Sequence, residues 1–224
     1  QNRANLYLFL DHGITSADKA TLIPGSGVNL EVHCFEDYPA EEKPLRFLYL
    51  GRIMRDKGIN ELLKAAEIVK SSYPNVEFHL IGDLEEDYWN EINVLQRNGI
   101  IQYHGHQENV HFFLKNSHAI INPSYHEGMS NVLLEAAATG RPILASKIPG
   151  CMETFEEGFS GFGFEAKNVE SLVDSIIRFI KIPYEDKKKM GLASREKMEK
   201  EFDRKYVNNA YLEEIKRSEE RRVG

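Results

Sequence analysis

Two carboxylates beside a helix start carry the most specific chemistry in this chain. Residues 123–150 open with Pro-Ser-Tyr-His-Glu-Gly-Met-Ser-Asn-Val-Leu-Leu-Glu-Ala and close with Ile-Pro-Gly. An apolar run at 119–122 reads as a buried strand, and it ends in a polar, glycine-containing loop. A helix is then expected to open near Ser130 and to stop at Gly140, with Pro142 just beyond. The free N–H groups at such a start form an anion site. Glu127 lies in the loop and Glu135 on the helix, so negative charge sits beside that anion site. A ligand carrying both phosphate and hydroxyls resolves the conflict, because carboxylates accept hydrogen bonds from sugar hydroxyls. A nucleotide sugar is such a ligand.

The elements needed to position these groups alternate along the chain. Short apolar runs at 46–50, 76–81, 100–103, 119–122 and 142–146 read as strands, and 161–164 as a last short one. Between them, Ile59, Leu62, Leu63, Ala66 and Val69 recur at helical spacing, as do Leu172, Ile176, Phe179 and Ile180. Helices are also expected over 88–97 and 110–116. The pattern predicts an α/β fold, a Rossmann-like parallel sheet with helices on both faces. In such sheets ligands bind beyond the carboxyl ends of the strands. Gly51, Gly82, Gly105 and Ser124 all fall at such ends.

Glu127 and Glu135, separated by seven residues and followed by Ala136 and Gly140-Arg141-Pro142, resemble the E-x7-E signature of retaining glycosyltransferases of family 4, also called glycosyl transferases group 1. Gly51-Arg52-Ile53-Met54-Arg55-Asp56-Lys57-Gly58 is similar to the family's donor-diphosphate loop. Leu80-Ile81-Gly82 resembles the next strand end, and Tyr103-His104-Gly105-His106 the segment near the nucleobase. Pro24-Gly25-Ser26-Gly27-Val28-Asn29 is similar to the interdomain linker. The wording is closest to the branch that builds capsular and other surface polysaccharides. The resemblance covers roughly residues 2–202.

The resemblance implies the C-terminal, donor-binding half of a GT-B enzyme that transfers a hexose-type sugar, with retention, from a nucleoside-diphosphate donor, UDP above all. Residues 1–30 would be the tail of an acceptor domain plus the linker. Residues 31–200 would be the donor domain, and 201–224 a helix crossing back. A helix-like scrap at 5–11 and a strand-like one at 21–23 belong to the first part. The chain begins at Gln1 and is expected to be part of a longer protein, inactive alone, whose missing N-terminal domain holds a glycan or lipid-linked acceptor. Arg52, Lys57 and Glu127 would be catalytic. Arg52 and Lys57 would hold the diphosphate. Glu127 would meet the sugar hydroxyls and Glu135 the ribose. Gly82, His106 and His126 would line the donor pocket, with the amides of Gly128, Met129, Ser130, Asn131 and Val132 facing diphosphate or sugar. Other readings are a non-catalytic nucleotide-sugar module or a GT-B enzyme such as a UDP-sugar epimerase. The glutamate pair together with Arg52 and Lys57 favours the transferase over the epimerase, while a donor domain and a binding module share these features.

Each of these residues also has a plainer reading. Arg52 and Lys57 could be solvated loop charges, Glu127 and His126 surface loop residues, and Glu135 a helix carboxylate paired with a base. His104, His106 and His111 invite a metal, yet no Cys or carboxylate completes a recognisable spacing. No Asp-x-Asp occurs, so no cofactor or metal is expected, and basic side chains with a helix start would stabilise the leaving group instead. Lys187-Lys188-Lys189 reads as a solvated helix face. The net charge of −7 argues against nucleic acid. No apolar run approaches the roughly 20 residues of a membrane span. Two unrelated cysteines, Cys34 and Cys151, fit a reducing compartment. The expected location is the cytoplasm, including peripheral attachment at the inner membrane face.

Overall fold

The computed structural model describes residues 2–23, 25–41 and 44–223, with only the backbone described at 218–223. Pro24 of the linker motif lies outside the described residues. Six strands form one parallel sheet: β1 (Leu45–Leu50), β2 (Val76–Ile81), β3 (Gln102–Tyr103), β4 (Ala119–Asn122), β5 (Ile143–Ser146) and β6 (Gly161–Phe164). Their order across the sheet is β3-β2-β1-β4-β5-β6, which places the reversal of strand order between β1 and β4. That is where such sheets hold ligands.

Strand alternation divides the core in two. Phe47 and Tyr49 point to one face, where Phe78, Leu80, Ile121 and Leu144 join them. Helices α2 (Ile59–Ser72), α3 (Trp89–Arg97) and α6 (Val169–Lys181) cover this face with Leu62, Leu63, Val69, Ile92, Leu172 and Phe179. Leu48 and Leu50 point to the other face, with Ile120, Ile143 and Ala145. Helix α5 (Asn131–Ala138) covers it with Leu133, Leu134 and Ala137, assisted by Val28, Met198 and Phe202. Both faces are buried, so the strands read as unbroken apolar runs rather than alternating ones. Helices α1 (Arg3–Asp11), α4 (Val110–Lys115), α7 (Tyr184–Lys197) and α8 (Arg204–Val223) complete the set.

Three local expectations need correction. Residues 21–23 are irregular, not a strand. The third strand shrinks to Gln102–Tyr103, because it is an edge and pairs only with β2. Lys187 is not a solvated charge. It is 7% exposed, and its ammonium donates to Ile180 O at 2.9 Å and Ile182 O at 2.6 Å, closing the C-terminal end of α6. A π-helical turn over Met198–Phe202 links α7 to α8 and seats Met198 and Phe202 in the core. The chain enters and leaves the sheet region side by side. Val28 N–H donates to Phe202 O at 2.8 Å, and Arg204 N–H donates to Val28 O at 3.0 Å. No helix among the described residues is long and apolar enough to cross a membrane.

Candidate functional site

The loops after β1, β2 and β3 are laced together at one rim. Gly51 N–H donates to Ile81 O, and Gly82 N–H to Gly105 O, each at 3.0 Å. Ile53 N–H reaches Asp83 O at 2.7 Å. After Gly51 the chain makes a 3₁₀ turn at Arg55–Lys57 and enters α2 through Gly58, whose φ is 71°. A Cβ there would run into the Pro123 carbonyl, so the start of α2 is held hard against the loop after β4. Tyr125 N–H closes the same junction onto Asp56 O at 2.9 Å.

Asn122 shapes the loop that follows β4. Its Oδ1 accepts from Ser124 N–H at 3.1 Å, and its Nδ2 donates to Ser130 Oγ at 2.8 Å, so one buried amide grips both ends. Ser130 N–H donates to Gly150 O at 2.9 Å. With its hydroxyl engaged, Ser130 gives α5 no side-chain cap, and Gly58 has none to give α2. Two uncapped helix starts therefore face one rim, each with positive end and open first-turn N–H groups.

Between them lies an ion pair. Lys57 Nζ donates to Glu127 Oε1 at 2.7 Å, and the side chains are only 23% and 16% exposed. A hollow of about 560 Å³ opens beside Glu127, bounded by Tyr125, His126, Gly128, Ile148, Pro149 and Asn5. Asn5 and the buried Asn2 come from α1 and its cap. Asn2 Nδ2 donates to Gly128 O at 2.8 Å, which fixes α1 at the mouth. A larger hollow, about 840 Å³, lies at the other end of the sheet among Tyr73, His118, Ile182 and Tyr184 and contains none of these groups.

The structure thus brings together Lys57, Glu127, His126 and the 128–132 amides. Met129 is buried and Val132 packs on the core, so these two offer backbone only. Asn131 is exposed and accepts from the Ser26 hydroxyl at 3.0 Å. Arg52 stands apart: its guanidinium is more than half exposed and pairs with Glu85 at 3.0 Å, although Tyr49 OH fixes its carbonyl at 2.6 Å. His106 sits outside too, exposed and 3.0 Å from Asp83. Glu135 faces the irregular stretch before β1, 3.9 Å from His33. Burial pushes its carboxyl above the ordinary range, against the pull of Arg204. The histidines do not converge, since His104 pairs with His79 at 3.0 Å and stacks on it. Sequence reasoning missed Asn5, Tyr125, Ile148 and Pro149 as lining residues and Asn2 as the anchor of α1. Pro149 lay in plain view after a strand end, whereas nothing in the sequence ties residues 2 and 5 to a loop more than a hundred positions away.

This fold, with an anion-attracting rim and a paired lysine and glutamate at the switch point, is that of a GT-B glycosyltransferase domain. The chain belongs to the family described as Glycosyl transferases group 1, which matches residues 34–197. It is 29% identical over 167 residues to the capsular polysaccharide biosynthesis glycosyltransferase CapM of Staphylococcus aureus, covering 69% of this chain and 43% of that protein. It is 25% identical over 224 residues to the N,N'-diacetylbacillosaminyl-diphospho-undecaprenol alpha-1,3-N-acetylgalactosaminyltransferase of Campylobacter jejuni, covering 94% of this chain and 57% of that protein. The crystal structure of Anabaena HepE in complex with UDP and glucose superposes with a TM-score of 0.80 at 20% identity, over 96% of this chain and 61% of that one. That likeness establishes the fold. The chain spans about half the length of these curated relatives.

Proposed function

We propose that this chain is the donor half of a retaining glycosyltransferase. It would bind a UDP-linked hexose and pass the sugar to a lipid-linked or polysaccharide acceptor held by a second domain facing the same rim. The observation that carries this reading is the Lys57–Glu127 pair at 2.7 Å, set between two uncapped helix starts. A leaving diphosphate gains negative charge as the glycosidic bond breaks. Lys57 and the first-turn amides of α2 and α5 are preorganised to meet it, without a metal. The diphosphate draws Lys57 from Glu127, and the released carboxylate then accepts from sugar hydroxyls. Arg52, exposed on its loop, swings from Glu85 to the phosphates. Glu135 takes the ribose. The relatives, one a capsular polysaccharide enzyme and one with a diphospho-undecaprenol in its name, support a surface-glycan role and a membrane-borne acceptor.

Calorimetric titration of UDP and UDP-glucose into the wild type, Lys57→Met and Glu127→Gln tests this. Lys57→Met should weaken UDP binding at least about tenfold, since a charge-assisted hydrogen bond is worth roughly 1.5–3 kcal/mol. Glu127→Gln removes the competitor for Lys57, so UDP should bind as well as before or better. Transfer by the protein with its acceptor domain should fall about 100-fold in that variant. Failure of the wild type to bind UDP, or unchanged UDP affinity in Lys57→Met, refutes the assignment.

A further inference from the structure

A second chemical cluster lies outside the donor site. Cys34 and Glu36 sit on the irregular stretch after the linker, and His111 is the second residue of α4. His111 Nε2 lies 3.0 Å from Glu36 Oε1, while Cys34 Sγ is 3.9 Å from each of those atoms. We infer that Cys34, Glu36 and His111 form a zinc site, with a fourth position open to solvent.

The spacing suits the ion. Zinc takes sulfur at about 2.3 Å and nitrogen or oxygen at about 2.0–2.2 Å, so a tetrahedron has edges of roughly 3.3–3.7 Å. The three ligand atoms already stand within about half an ångström of such edges. Binding requires the sulfur to close slightly and the nitrogen and oxygen to part. A thiol, an imidazole and one carboxylate select a borderline-soft metal and disfavour magnesium or calcium, which take oxygen shells. On binding, the Cys34 S–H bond breaks, its proton goes to solvent, and the thiolate donates its pair to zinc; His111 gives up its Nε2–H bond to Glu36, carries its one ring proton on Nδ1 instead, and donates the Nε2 lone pair.

The surroundings hold the ligands in place. Glu36 N–H donates to Thr139 O at 3.2 Å, and Arg141 Nη2 donates to Glu36 O at 3.0 Å. Arg195 Nη1 donates to His33 O at 3.0 Å, beside Cys34. Asn109 caps the start of α4 by accepting from Phe112 N–H at 3.2 Å. Lys115 donates to Glu36 Oε2 at 2.9 Å, which leaves Oε1 for a single bond to metal. Cys34 is exposed, so zinc can enter. Occupancy would staple the post-linker segment to α4. That segment also carries His33, which faces Glu135, so the staple would steady the wall behind the proposed ribose position.

The test uses the whole chain, stripped with EDTA and titrated with cobalt(II), then displaced by zinc. One equivalent of cobalt should raise a thiolate charge-transfer band with intense visible d–d bands of tetrahedral type, and zinc should abolish both. Cys34→Ser should lose the charge-transfer band and weaken zinc binding by tenfold or more, whereas Cys151→Ser, at a buried position, should keep both. His111→Gln provides an independent ligand deletion and should weaken binding similarly. Absence of the band in wild type, its survival in Cys34→Ser, or unaltered affinity in His111→Gln overturns the site. UDP titration of the same variants keeps this result separate from the donor-site reading.

Discussion

Gly58 and Gly99 offer a controlled test of how tightly the donor loop is built. Both take left-handed backbone, with φ of 71° and 69°. A Cβ at Gly99 would meet nothing within 4 Å. One at Gly58 would overlap the Pro123 carbonyl, with the Pro123 carbonyl carbon and Cβ both at 2.7 Å. Alanine in this backbone region costs about 1–2 kcal/mol. Stiffening the unfolded chain returns about 0.4–1 kcal/mol. Gly99→Ala should therefore destabilise by about 1 kcal/mol. At Gly58 the obstacle is backbone, which cannot rotate away, and forced overpacking adds about 1–3 kcal/mol. Gly58→Ala should cost about 2–4 kcal/mol in total. At roughly 2–4 °C per kcal/mol for a chain of this size, Tm should fall by about 5–15 °C against about 2–4 °C for Gly99→Ala. Urea unfolding gives the free energies, and UDP titration well below Tm gives the functional cost, because Gly58 stands between Lys57 and the start of α2. If the two variants unfold within about 0.5 kcal/mol of each other, the close approach to Pro123 is not what the glycine serves. If Gly58→Ala is strongly destabilised yet binds UDP normally, the junction does not position the site.

Two further outcomes follow from buried titratable groups. His118 Nδ1 accepts from Arg46 N–H at 3.0 Å, so the ring must be neutral there, and burial pushes its pKa down from 6.5 to about 4. Below the unfolded value the unfolded chain binds a proton that the folded chain refuses. Stability should thus fall as pH drops from 6.5 to about 4, by roughly 3 kcal/mol from this group, and level off beneath. His118→Asn keeps an acceptor for Arg46, and urea midpoints across that window should lose one proton's worth of slope. An unchanged slope would contradict the assignment. Lys187→Met should destabilise by about 1–3 kcal/mol, since it strands the Ile180 and Ile182 carbonyls. Lys188→Met, on an exposed neighbour, should stay within about 0.5 kcal/mol in the same thermal melts.

The parallel sheet was legible because both its faces are buried. Leu48 and Phe47 face different cores, so neither needs a polar neighbour, and the runs at 46–50 and 119–122 announce central strands. Glu127 stood out because acid beside a helix start demands an explanation. What the sequence hid was pairing across distance. The union of Lys57 with Glu127, and of Cys34 and Glu36 with His111, depends on loops brought together only by the finished sheet. Lys187 was misread because composition reports a charge and not its carbonyl partners; three consecutive lysines look alike until one of them turns inward to close a helix. Arg52 shows the converse. Its motif resembles a phosphate-binding one, and here its exposed guanidinium pairs with Glu85, a partner the motif does not announce.

The bridge between Val28 and Asp203 has a consequence for engineering. The polypeptide crosses into the sheet domain and out of it at a single hydrogen-bonded spot. A chimera that exchanges residues 28–203 between relatives therefore needs only two junctions, and each junction is the other's neighbour. A graft made there must keep that short parallel pairing together with the Asn2–Gly128 and Ser26–Asn131 hydrogen bonds, which also join residues before 28 to the exchanged segment. Conversely, any load on the start of α8 is delivered directly to Val28 beside it, so the paired crossing acts as one mechanical joint.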